Sequence, residues 1–160
     1  MRMLGLPIQL IGGAISTVFQ QKATHDYNSA GTCRPIFIKT LKTLSLIAIV
    51  PTLIIMFYGP DLFALIFGEK WRDAGIYARI LISMIMLKMV VSPLTYTFFI
   101  AGKLREDFIY HIGVLITSTF SLYFGLRYFD IYFTLIIFSG SYIFWYLIYL
   151  FKSYKFAGDV

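Results

Sequence analysis

Charge is what this chain has least of. Only 14% of its 160 residues are charged, against about 25% in an ordinary soluble domain. A surface so poor in charge cannot cover a water-exposed globule. Cysteine is nearly absent too: Cys33 stands alone in a polar stretch, which excludes an intrachain disulfide. The two histidines, His25 and His111, lie far apart, and no Cys/His pair has metal-ligand spacing. Each histidine reads as a loop or interface residue. All eight acidic residues sit between apolar runs or at their ends. There is no phosphate-binding glycine loop, nucleophile elbow or pair of carboxylates at catalytic spacing. The chain therefore reads as a non-enzyme that needs no cofactor.

What is present is apolar. Hydrophobic residues make up 59% of the chain and aromatics 19%, with a mean hydropathy of +0.77. A bilayer is the solvent that suits such a composition. The net charge of +6 sits mostly between the apolar runs, where basic residues set membrane orientation, so nucleic acid is not the expected partner. The length suggests a single membrane domain over residues 1–160.

Five apolar runs approach the roughly 20 residues that a membrane helix needs. They are Met3–Phe19, Leu44–Phe67, Gly75–Ile100, Phe108–Leu126 and Ile131–Phe151. Helices are expected throughout, because an open sheet cannot satisfy its backbone in hydrocarbon. The expected fold is an all-α polytopic bundle of about five transmembrane helices. The opening "MRMLGLPIQLIGG", with Ala14-Ile15-Ser16 behind it, has the look of a signal peptide; the four apolar runs that follow favour a retained span. A break is expected at Gly59-Pro60-Asp61. Residues 20–43 form the main polar stretch: "QQKATHDYNSAGTCR" is turn-rich, and "PIFIKTLKTL" is amphipathic, with Lys39 and Lys42 as interfacial anchors.

The basic residues are unevenly shared between the two sides. Lys22, Arg34, Lys39, Lys42, Lys103, Arg105, Lys152 and Lys155 fall on one side, and Arg2, Lys70, Arg72 and Arg127 on the other. The richer side is expected to be cytoplasmic, with the N-terminus outside and the C-terminus inside. Aromatic clusters at Tyr128–Phe133 and Trp145–Phe156 are expected at headgroup level.

The third run holds an anomaly, Lys88, about halfway between Gly75 and Ile100. In a continuous helix it lies roughly 18–20 Å from either end, beyond the reach of its own stem. A lipid-facing ammonium there costs about 2.5–3.5 kcal/mol. At 100° per residue, Tyr77, Lys88, Ser92 and Thr95 share one face within about 60°. Arg79 points the opposite way, toward headgroups, and Pro93 frees a carbonyl one turn back. The polar stripe is expected to face a bundle interior or an aqueous path. No acidic residue is expected at the depth of Lys88, so its partner is either an anionic ligand or a carboxylate on another chain. Two further stripes suggest close helix packing: Gly5, Gln9, Gly13, Ser16 and Gln20 in the first run, and Gly113, Thr117 and Ser121 in the fourth.

The order of segments "LPIQLIGGAISTVFQQKAT", "FGEKWRDAGIYARIL" and "LKMVVSPLTYTFFIAGKLREDF" resembles the C-terminal part of the Wzx-type O-antigen and polysaccharide flippases. These belong to the multidrug/oligosaccharidyl-lipid/polysaccharide exporter superfamily. The most specific pieces are Phe67-Gly68-Glu69-x-Trp71 with Ala74-Gly75, and Ser92-Pro93-Leu94. The resemblance implies a two-lobed exporter fold of which this chain is a partial second lobe. It also implies a cationic central cavity that moves an undecaprenyl-pyrophosphate-linked sugar unit across the bacterial inner membrane. Such sites form between repeats, so one incomplete lobe is not expected to work alone. The implied partners are membrane lipid, the lipid-linked oligosaccharide, and a missing N-terminal lobe or other polysaccharide-assembly membrane proteins. The substrate path falls to Lys88, Ser92, Thr95 and Tyr77 on the stripe argument. The alternative is a membrane assembly or scaffold subunit, or a fragment without transport activity.

Overall fold

The computed structural model describes the backbone of residues 6–158 and the side chains of residue 13 and residues 15–158. Arg2, Gly5 and the Gln9 side chain, named above, and Asp159, one of the eight acidic residues, lie outside that description. The elements are α1 (Leu6–Ala30), α2 (Arg34–Phe67), a single 3₁₀ turn (Glu69–Trp71), α3 (Arg72–Leu94), α4 (Thr97–Ile100), α5 (Leu104–Tyr128) and α6 (Ile131–Phe156). The described residues contain no strand, and the fold is an all-α bundle. Four helical stretches are long and apolar enough to cross a membrane: α2, α3 continued through α4, α5 and α6. The described part of α1 is not among them, because its second half carries Lys22, His25 and Asp26.

The polar stretch is organised differently from its sequence expectation. Residues 20–30 continue α1, and the turn is confined to Gly31, Thr32 and Cys33. Gly31 adopts φ +69°, a left-handed conformation that glycine takes at no steric cost. Pro35 sits in the first turn of α2, where its missing N–H is harmless. The amphipathic segment is thus the opening of α2 and not a separate interfacial element. At 34 residues, α2 is about 51 Å long, so its polar first turns project beyond a hydrocarbon core of about 30 Å.

The expected break at Gly59-Pro60-Asp61 does not occur. α2 runs through both Pro51 and Pro60. Pro60 removes one helical donor, and the Arg79 guanidinium donates to the Phe57 carbonyl at 3.0 Å in this same region. Arg79 therefore serves α2 as well. Gly59, Pro60 and Gly75 are buried together. A Cβ on Gly75 would lie 2.6 Å from the Gly59 carbonyl oxygen, so α2 and α3 meet backbone to backbone.

α3 packs on both α2 and α6, and α5 packs on α6. The stripe of the fourth run is a packing face: a Cβ on Gly113 would fall 2.3 Å from the Trp145 ring, and Trp145 Nε1 donates to Thr117 Oγ1 at 3.0 Å. The first-run stripe shows no such packing at Gly13, which has open space where a Cβ would be. Instead Gln20 donates to Ser16 along the same helix at 3.2 Å.

The bundle has two distinct ends. At one, a buried cluster joins Phe19 and Ala23 of α1, Cys33 and Phe37 around the first turn, Leu94 of α3 and Ala157 after α6. The Cys33 amide donates to the Ala157 carbonyl at 2.8 Å. Burial pushes the Cys33 thiol up from its ordinary pKa. At the other end, Arg72 bridges Asp61 at 2.7 Å and Glu69 at 2.9 Å, and Tyr77 packs on Tyr132. Successive helices therefore alternate in direction, and the segments carrying the eight basic residues meet at the first end.

The outer surface is apolar. Leu46, Leu65, Phe144 and Phe151 are exposed large hydrophobics on spanning helices. Such continuous apolar exposure marks a surface made for lipid or for another apolar partner.

Candidate functional site

The third run does not continue as one helix to Ile100. α3 stops at Leu94, immediately after Pro93. The end is closed locally: the Thr95 hydroxyl donates to the Ser92 carbonyl at 2.8 Å, and the Thr97 hydroxyl to the Leu94 carbonyl at 3.0 Å. Lys88 is six residues before the end of α3, or about 9 Å.

Tyr110 and His111 lie six and seven residues into α5, and Tyr149 seven residues before the end of α6. α6 packs against both α3 and α5, the chain reversing after α4 at Gly102, whose φ is +66°. A cavity of about 320 Å³ opens there. α3 supplies Lys88, Ser92 and Thr95; α5 supplies Tyr110 and His111; α6 supplies Tyr142, Tyr146 and Tyr149. Three residues of the predicted stripe are thus brought together. Tyr77 is not: it lies three helical turns away, about 16 Å along the axis, with its ring 5.5 Å from that of Tyr132.

Lys88 is exposed at the cavity wall. Among the described residues it takes part in no ion pair and no side-chain hydrogen bond. Among the described residues, the carboxylates near the cavity are already engaged. Asp107 accepts a hydrogen bond from the Tyr149 hydroxyl, and Glu106 pairs with Lys152 at 2.7 Å. His111 Nδ1 lies 2.9 Å from the Asp107 backbone carbonyl. A carbonyl only accepts, so Nδ1 is the donor there, and Nε2 is left for the cavity or solvent.

The tyrosines form a stacked wall. Tyr110 and Tyr149 lie with ring centroids 3.8 Å apart and planes 12° from parallel. The Tyr110 hydroxyl is buried without a hydrogen-bond partner among the described residues, a state that costs roughly 1–3 kcal/mol. Sequence reasoning placed Trp145 and Tyr149 in a headgroup belt. Instead Tyr149 is buried between Tyr110 and Phe98, and Trp145 packs edge-on to Tyr110. The spacing of Tyr142, Tyr146 and Tyr149 at i, i+4 and i+7 was the available signal, since it puts all three on one helical face. His111 was the other site residue not picked out.

The arrangement can do three things chemically. Lys88 offers an unpartnered positive charge. Ser92, Thr95 and the tyrosines offer hydroxyls. The tyrosine faces offer flat, polarisable surface to the apolar side of a ring. No family model, curated protein or solved structure matches this chain.

Proposed function

We propose that this chain forms part of the path by which an undecaprenyl-pyrophosphate-linked oligosaccharide crosses the bacterial inner membrane, as a partial flippase. The observation that carries the reading is the unpaired Lys88 at the wall of a tyrosine-lined cavity. A phosphate about 4 Å from an ammonium gains on the order of 4 kcal/mol at the effective dielectric of a partly wet site. Hydroxyls and aromatic faces around it suit a sugar unit. The resemblance to the polysaccharide flippases supports the same assignment. In this reading the basic end of the bundle is cytoplasmic, the N-terminus is outside and the C-terminus is inside. The remaining walls of the path come from a further lobe or from other polysaccharide-assembly membrane proteins.

A second reading has a specific observation behind it. Lys88 has no carboxylate partner among the described residues, so it also suits an ion pair with another subunit in a scaffold role. Lys88→Met and Lys88→Arg, in cells whose surface glycan depends on this protein, separate the two. Transport predicts that Lys88→Met lowers glycan export ~10-fold at unchanged protein level, the loss of one charge-assisted contact, with partial rescue by Lys88→Arg. Loss of the protein or of its complex supports the scaffold. Unchanged export with Lys88→Met contradicts the transport reading.

A further inference from the structure

A second basic site lies between α1 and α2 and shares no lining residue with the tyrosine cavity. α1 and α2 enclose a groove of about 340 Å³ near the turn that joins them. Lys22 enters it from α1 and Lys39 from α2. Neither lysine takes part in an ion pair among the described residues, and no carboxylate lines the groove. Asp26, the acidic residue nearest in sequence, is paired with His25 at 3.5 Å.

The groove is graded along its length. Lys22 lies eight residues before the end of α1 and Lys39 five residues after the start of α2, so both are about 8–12 Å from the turn. Ile15 lies about 10 Å deeper on α1, and Val18 and Phe19 fill the interval. Phe19 is buried and meets the Phe37 ring edge-on at 6.4 Å, which makes that floor a fixed surface. Thr40 also lines the groove and is buried, yet among the described residues its hydroxyl is in no hydrogen bond. Thr24, Thr43 and Thr52, also in these helices, all bond to a carbonyl four residues back.

We propose that this groove is a binding site for an anionic phospholipid, with the phosphate held by Lys22 and Lys39 and an acyl chain lying along Ile15, Val18 and Phe19. Charge complementarity selects the anion: two cations face one groove without a counter-charge. The depth gradient selects a lipid over a soluble anion, because the cationic part is near the end of the bundle and the apolar part runs toward its middle. Basic pockets between membrane helices hold anionic headgroups by this same combination. The site is independent of the transport reading.

The test uses the full chain reconstituted in phosphatidylcholine with one-fifth phosphatidylglycerol, extracted in mild detergent, with retained lipid counted by native mass spectrometry. The wild-type chain retains phosphatidylglycerol in preference to phosphatidylcholine. Lys22→Gln with Lys39→Gln lowers that retention ~10-fold, as expected from removing two cations near an anionic headgroup. Lys42→Gln with Lys155→Gln removes the same charge at exposed positions outside the groove and leaves retention within ~2-fold. Val18→Trp keeps every charge but fills the apolar part, and it lowers retention as well. Helicity by circular dichroism, equal in all variants, shows that folding is intact; these side chains are exposed and support no other group. Equal loss in both double variants indicates non-specific attraction and overturns the proposal. So does equal retention of the two lipids by the wild-type chain, or full retention by Val18→Trp.

Discussion

Lys88 shows how far single residues were legible. Its charge, its neighbours Ser92 and Thr95, and their common face followed from helical geometry alone. The local end of its helix did not, because Pro93 could either kink a continuing helix or end it; here α3 ends at Leu94, with two hydroxyl-to-carbonyl bonds beside that end. The opposite wall was hidden for another reason. In a chain so rich in aromatics, a tyrosine on a cavity wall and one at a membrane interface look alike. The Tyr149 contact to Asp107 distinguishes them and gives a prediction at this scale. Tyr149→Phe removes a hydrogen bond to a carboxylate, worth roughly 1.5–3 kcal/mol. The expected result is a lower unfolding midpoint in a detergent denaturation series, with Tyr142→Phe nearly neutral. An unchanged midpoint for Tyr149→Phe contradicts the role of this contact.

At the scale of elements, the apolar runs marked the four spanning helices but missed their ends. Turn signals at Gly59-Pro60-Asp61 and in residues 20–30 were overridden by helix continuation. Gly59 and Pro60 are explained by tertiary packing: they are small where α3 presses closest, at Gly75. A sequence cannot show which helix will lie against a glycine. Gly75→Ala puts a methyl group 2.6 Å from a backbone oxygen that belongs to the other helix, so α2 and α3 must separate. The expected cost is about 1–3 kcal/mol, read as a lower unfolding midpoint. Gly140→Ala, with nothing within 4 Å of the added carbon, is expected to stay within roughly 0.5 kcal/mol. Equal midpoints for the two variants contradict the backbone contact between α2 and α3.

At the scale of the whole molecule, the exposed apolar surface and the gathering of basic segments at one end agree with the charge pattern of the sequence. The Cys33 amide to Ala157 carbonyl bond ties together segments that the charge count had placed on the same side. The central claim is that Lys88 faces water in a polar cavity and not lipid tails. The most direct measurement is the labelling of Lys88→Cys, in a Cys33→Ser background and in the assembled membrane, by a membrane-impermeant thiol reagent. Leu115→Cys and Phe144→Cys, at sites 65% and 61% exposed on the apolar outer face, serve as references. The account predicts rapid labelling at position 88 and little at 115 and 144. No labelling at 88 from either side, with reaction at the two outer positions, would contradict it.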